Sequence, residues 1–215
     1  MHHETVIPIF PLGLVLLPQM SLPLHIFEER YKLMTRMCIE QRKEFGIVYF
    51  NGKQFETIGC TARIEKILKR YDDGRLDIIT RGANRFAIKE LLDEKPYLQA
   101  KIGYFDDHPQ EKRDKEALQK LADSGLELLK KINPLTQQYN EDQLTNQPDT
   151  KSVSFLIAAC DGFSLEEKQR FLEMTSTPKR LRKAVEALET LFERLSITRK
   201  IERIIGGNGN LPKSL

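Results

Sequence analysis

The apolar positions at the start of the chain cannot belong to one helix. They fall into three runs, Ile7-Pro8-Ile9-Phe10-Pro11-Leu12, Val15-Leu16-Leu17-Pro18 and Leu22-Pro23-Leu24-His25-Ile26-Phe27, and prolines punctuate each. A proline lacks the amide hydrogen of the helical ladder, and its ring crowds the turn before it. The pattern predicts short extended segments joined by turns, feeding a helix over residues 28–43 in which Tyr31, Met34 and Cys38 recur at helical spacing. Core packing explains that stripe more simply than a flexible Met-lined binding face.

Strand-like patterning continues to about residue 105. Residues 46–50 form a short apolar run closed by the turn pair Asn51-Gly52. Residues 63–71 and 75–80 flank Asp72-Asp73-Gly74 and predict a hairpin, because a glycine supplies the positive φ of a tight turn. Further strands are expected over residues 85–91 and 97–105, where Leu98, Ala100, Ile102 and Tyr104 alternate with other positions. Five or six short strands with one early helix predict a small closed, or nearly closed, sheet.

After Asp106 the apolar period lengthens. Leu118, Leu121, Ala122, Gly125, Leu128, Leu129 and Ile132 predict an amphipathic helix that stops at Asn133-Pro134. A polar stretch over residues 136–151 predicts a loop, and residues 152–160 a short buried helix. Ser164-Leu165-Glu166-Glu167 has the form of a capping box, and Thr177-Pro178 the form of a cap followed by a first-turn proline. The last helix carries Leu181, Val185, Leu188, Phe192 and Leu195, a spacing that suits the seam of an intramolecular bundle better than a coiled-coil dimer of two heptads. The Gly- and Asn-rich tail from Gly206 is expected to be mobile.

The fold class that follows is α+β: a β-rich N-terminal region over residues 1–105 with one helix, a C-terminal helical bundle over 106–205, and a flexible tail over 206–215. Composition adds little beyond an ordinary globular chain of 215 residues, 40% of them hydrophobic. The net charge of +3 lies entirely in residues 1–105, too mild a balance to demand an anionic partner. Cys38, Cys60 and Cys160 are too few and too scattered for a disulfide framework or a paired-cysteine metal site, and suit a reducing cytoplasm. The leader Met1-His2-His3-Glu4 has no basic residue, so secretion is not expected, and no stretch approaches the ~20 apolar residues of a membrane span.

Catalytic chemistry finds no support in the residues. Gly207-Asn208-Gly209-Asn210-Leu211-Pro212-Lys213-Ser214 imitates a phosphate loop, but Pro212 takes the place of the glycine before lysine and no strand leads into it. His25 and His108 lie in no ligand-spaced pattern, and His25 is expected to be a hydrogen-bonded structural imidazole. Asp72-Asp73 and Glu166-Glu167 read as turn and cap residues, and no nucleophile elbow is present. No catalytic residue, cofactor or metal is expected.

Taken in order, several stretches resemble the N-terminal, substrate-binding domain of ATP-dependent Lon proteases. They are the Pro-punctuated opening through Glu28-Glu29-Arg30-Tyr31, then Gly59-Cys60-Thr61-Ala62-Arg63-Ile64, Asp73-Gly74 with Ile78 and Gly82, and Arg85-Phe86-Ala87-Ile88. Pro96-Tyr97-Leu98-Gln99-Ala100, Glu167-Lys168-Gln169, Phe171-Leu172-Glu173 and Arg180-Leu181 complete the pattern, which covers residues 6–204. The chain departs from it at Glu29, where the family often has proline, and at Gln19, where glycine commonly follows Pro18. The resemblance implies a PUA-like pseudobarrel followed by a helical bundle. It also implies a stand-alone recognition module that binds unfolded or exposed polypeptide, beside a protease or chaperone system, since the chain is expected to end before an ATPase or peptidase domain begins.

Binding of that kind would use an apolar groove or a sheet edge. Phe10, Leu17, Ile26 and Phe27 are the candidate contacts, although core packing is the simpler role for each. The alternative is an RNA-binding sheet built from Arg63, Lys66, Lys69, Arg70, Arg75, Arg81 and Arg85 with Tyr71 as a stacking platform, set against a solvated strand face with cations guarding its edges.

Overall fold

The computed structural model describes residues 5–109, 115–136, 149–160 and 162–207. Among the described residues, six strands and five helices follow one another as β1 (Thr5–Leu12), β2 (Ser21–Ile26), α1 (Glu29–Gln41), β3 (Phe45–Tyr49), β4 (Ile58–Arg70), β5 (Leu76–Leu92), β6 (Gln99–Tyr104), α2 (Lys115–Thr136), α3 (Thr150–Ala158), α4 (Leu165–Glu173) and α5 (Thr177–Gly207). The chain is thus a mixed α/β protein. Its contacts divide it into two units, one of residues 1–110 and 158–177, the other of 111–157 and 178–215. This differs from a single sequential border near residue 105, because α4 returns to the sheet unit.

Within the first unit the strand order is β2-β5-β4-β3-β1-β6, and β6 also pairs with β5. Strands β5, β4, β3, β1 and β6 therefore close into a ring. Closure depends on the length of β5. Residues 75–80 and 85–91, expected as separate strands, are parts of one 17-residue strand. Its first half, Leu76 to Arg81, pairs with β2, and its second half, Phe86 to Leu92, pairs with β6. β4 pairs with β3 only over Cys60 to Ala62, so from Arg63 onward it leaves the ring beside β5. Beyond the ring, β2, the start of β5 and the end of β4 form a three-stranded arm.

The ring core holds Ile7, Ile9, Val48, Phe86, Ala100 and Ile102. Gly82 sits where ring meets arm. The amide of Gln19 donates to the Gly82 carbonyl at 2.7 Å and the Gly82 amide donates to the Met20 carbonyl at 2.9 Å. A Cβ at Gly82 would lie 2.1 Å from the Leu17 carbonyl oxygen, so only glycine lets the loop pass. Gln19 itself has φ +65, the left-handed conformation that a glycine adopts without strain. The departure from the family pattern is therefore accommodated with the turn intact.

α4 is joined to the sheet by a buried guanidinium. Arg85 donates to the carbonyls of Leu172 at 3.0 Å and Met174 at 2.5 Å, and to the Asp107 carboxylate at 2.5 Å. Asp107 also accepts from the Thr177 hydroxyl. At the other end of α4 the capping box is complete, with the Glu167 amide donating to Ser164 Oγ and the Ser164 amide to the Glu167 carboxylate.

In the second unit, Leu118, Ala122, Leu129 and Ile132 of α2 are buried, as are Leu181, Val185 and Leu188 of α5. Arg180 of α5 is fully buried, its Nε donating to Ser154 Oγ at 2.8 Å and its guanidinium lying 3.8 Å from the Phe155 ring centroid. α2 runs to Thr136 instead of stopping at Asn133-Pro134, since a proline in the last turn removes a single ladder bond. α5 likewise includes Gly206 and Gly207, expected to lie in the tail. The phosphate-loop imitation from Asn208, and most of the loop expected over 136–151, lie outside the described residues.

Candidate functional site

The four apolar candidates separate cleanly. Phe10, Leu17 and Ile26 are core residues, and Phe10 stacks on Tyr31 with centroids 4.0 Å apart. Phe27 is 59% exposed, so it alone is available to a partner. It follows directly on β2 at the open end of the arm, where Glu28 caps α1 without a side-chain bond of its own to the helix.

Strand pairing builds the surface beside Phe27. Ser21, Arg81 and Arg63 form one cross-strand row, Pro23, Ile79 and Lys66 the next, and His25, Asp77 and Lys69 the third. Cross-strand partners share a face, so these rows line the same side of the arm. The opposite side carries Leu22, Ile26, Leu76 and Ile78, all buried. Simple alternation along β4 would instead group Arg63 with Glu65 and Ile67. Two register shifts, between Ile64 and Lys66 and between Ile67 and Lys69, take Glu65 and Leu68 out of the ladder. The outcome is a column of three cations, Arg63, Lys66 and Lys69, on the solvent side.

At the hairpin end this face turns aromatic. His25 stacks near Phe27 with centroids 5.9 Å apart and meets Tyr71 edge-on at 5.9 Å. The His25 Nδ1 lies 2.5 Å from Asp77 Oδ1, and the Tyr71 hydroxyl donates to Asp77 Oδ2 at 2.8 Å. Hydrogen bonds from His25 and then Tyr71 hold the Asp77 carboxyl below its ordinary value. His25 is the hydrogen-bonded imidazole expected of it. Lys69 Nζ lies 4.4 Å, and the Arg75 guanidinium 4.7 Å, from the Tyr71 ring centroid. Lys32 of α1 donates to the Asp73 carbonyl and ties the hairpin turn, where Gly74 has φ +83, to the helix.

The seven cations proposed for an RNA face do not act together. Arg63 is paired with Glu44 and Arg81 with Glu65, while Arg75 holds Asp73. Arg85, 3% exposed, is the buried anchor of α4 and is not on the face at all. Among the described residues Lys66 and Arg70 form no ion pair, whereas Lys69 lies opposite Asp77 and its charge helps, after His25 and Tyr71, to hold that carboxyl down. Leu68, 53% exposed, was not among the sequence candidates; the register shift that turns it outward has no signal in the residue order. A second apolar exposure, Ile197, Ile201, Ile204 and Ile205, runs along the end of α5.

Reactive groups are few. Among the described residues no cluster of three His, Cys, Asp or Glu side chains has metal-binding geometry. All three cysteines are buried and outside any disulfide, with burial pushing the Cys38 thiol up to about 11 and the Cys60 thiol up to about 12. His108 is exposed, and its backbone amide donates to the Thr175 carbonyl at 2.8 Å. No described helix is long and apolar enough to cross a membrane.

Residues 6–190 match the family model of the ATP-dependent protease La (LON) substrate-binding domain. The chain belongs to the Lon substrate-binding-domain family. This Lon-type domain is 26% identical over 208 residues to a Lon protease of Cytophaga hutchinsonii, covering 92% of this chain and 26% of that protein. It is 29% identical over 216 residues to Lon protease 2 of Myxococcus xanthus, covering 94% and 26% respectively. The chain thus spans about a quarter of the length of the curated Lon proteases it matches. Its fold is similar to that of a Lon N-terminal domain protein from Xanthomonas campestris, with a TM-score of 0.64 at 21% identity over 85% of this chain and 98% of that one. The N-terminal domain of Lon protease from Mycobacterium avium complex gives 0.67 at 14% identity, over 86% and 98%.

Proposed function

We propose that this Lon-type domain is a non-catalytic polypeptide-recognition or adaptor module acting in the cytoplasm on unfolded or exposed protein segments, in company with a protease or chaperone system. The observation that carries this reading is the family match over residues 6–190, which takes in both structural units. In the same reading the closed ring is a PUA-like pseudobarrel, and the α2, α3 and α5 unit is the helical bundle that accompanies it. No ATPase or peptidase step is assigned to these residues, because what they match is the substrate-binding part of Lon. RNA binding is the weaker alternative, since three of the seven proposed cations already hold their own acids and Arg85 is buried. Calorimetric titration with a reduced, alkylated and permanently unfolded protein tests the proposal. Saturable binding is expected, and no heat of binding at high micromolar concentration would defeat it.

A further inference from the structure

We infer that the solvent face of the β2-β5-β4 arm is where polypeptide is held, and that it selects extended segments in which aromatic or aliphatic side chains alternate with acidic ones. This rests on the polypeptide-recognition reading and adds to it a surface and a substrate class. The arm presents an apolar end and a cationic flank side by side. Phe27 stands 59% exposed against His25, with Pro23 exposed and Ile79 half-buried in the neighbouring row. Lys66 and Lys69 lie one strand away in the same rows as Ile79 and Asp77. Burying the Phe27 ring against an apolar side chain supplies the non-directional part of affinity.

The acids already on this face are committed. Asp77 is bound by His25 and Tyr71, Glu65 by Arg81, and Asp73 by Arg75. A bound carboxylate therefore meets Lys66 without competition from within the arm, with Lys69, already opposite Asp77 and over Tyr71, adding a smaller share, and a bound lysine meets repulsion.

Strand addition is not the mode of binding. The free edge of β2 contains Pro23, which has no amide hydrogen to offer, and the free edge of β4 is broken by two register shifts and guarded by lysines. Side chains of the guest, not its backbone, must therefore carry recognition. A nucleic acid fits less well, because the Tyr71 ring on which a base would stack already carries the Lys69 and Arg75 cations.

Fluorescence anisotropy of the full chain with three labelled probes decides the matter: a short peptide repeating Phe-Glu-Gly, its Phe-Lys-Gly counterpart, and an oligouridylate. The acidic peptide is expected to bind about tenfold more tightly than the basic one, with the preference shrinking as salt rises. Phe27→Ser should weaken the acidic peptide by about tenfold, as truncation of an exposed anchor does at other interfaces. The double variant Lys66→Glu, Lys69→Glu should invert the preference, while Leu91→Ser, an exposed change outside the arm, should leave it intact. Circular dichroism confirms that each variant is folded. Equal affinity for both peptides, or arm variants indistinguishable from the parent, overturns the inference and leaves the recognition reading standing on another surface. Oligouridylate bound more tightly than either peptide and lost in the lysine variant overturns it in favour of nucleic acid. Failure of the parent chain to bind any peptide removes the recognition reading itself.

Discussion

The two halves of the β4–β5 hairpin are made of the same strands and do opposite work. Toward the ring, Cys60, Ala62 and Phe86 are completely buried, and the register runs through Gly59–Phe86 and Cys60–Arg85 with one shift before Ala62. Away from it, Arg63, Lys66, Leu68, Lys69 and Arg70 are all exposed, and the register slips twice within eight residues. A closed ring has no free edge to defend, so its strands are free to be apolar. An arm with two free edges must be kept from pairing with other chains, and lysines, a proline and bulges do that. The devices that protect the arm also arrange its cations in a column.

The sharpest way to break the contrast is at Arg85, which holds α4 from the ring side. Arg85→Met removes donors to two carbonyls and takes the guanidinium away from the buried Asp107 carboxylate, 7% exposed. Loss of one partner of a buried pair costs about 3–5 kcal/mol, so urea denaturation should show a stability drop of that order. The Cys60 thiol, held at about 12 by burial, should then react with thiol reagents at a rate set by opening of the ring. A stability change below about 1 kcal/mol would mean that the arginine is not the anchor.

The next largest effect is expected at the junction. Gly82→Ala places a methyl 2.1 Å from the Leu17 carbonyl oxygen, a backbone atom that cannot swing aside, and overpacking of this kind costs about 1–3 kcal/mol. Peptide binding at the arm should weaken along with thermal stability. An unchanged melting temperature would show that the loop from Pro18 to Met20 moves freely past β5.

Gln19→Gly works in the other direction at the same junction. It relieves the left-handed strain at φ +65 but loosens the unfolded chain, so the net gain should be a few tenths to about 1 kcal/mol in a urea melt. A loss would show that the Gln19 side chain contributes more than its backbone conformation costs.

Smallest of all is the acid limb at Asp77. Its pKa is lowered in the folded chain, so its contribution is present above the unfolded value of about 3.9 and is lost as pH falls through the lower folded value. Asp77→Asn should therefore lower stability slightly at neutral pH and converge with the parent in strong acid. Curves that stay parallel across that range would show that His25 and Tyr71 do not favour the charged form.

Local structure was legible wherever one or two residues decide it. The Asp73-Gly74 turn, the Ser164–Glu167 capping box, the start of α1 and the Thr177-Pro178 helix start all lie where their residues indicate. The continuity of β5 was hidden, because Gly82-Ala83-Asn84 interrupts its alternation, and the reason is a loop from elsewhere in the chain lying on Gly82. Arg85 looked like one more surface cation, since nothing local announces that two carbonyls from α4 await it. Phe27 could not be told from Phe10, Leu17 and Ile26, because all four lie in the same apolar opening and only packing leaves one of them outside.

By itself the sequence determined the period of each segment, its caps and tight turns, and membership of the Lon substrate-binding family, because these depend on side-chain chemistry within a few positions of one another. Tertiary structure alone decided which faces meet. Closure of the ring through one long β5, burial of Arg85, and the two slips that bring Lys66 into line with Arg63 and Lys69 all join residues far apart in the chain. Strand register is a property of the pair, and a shift of one residue exchanges the face presented to solvent.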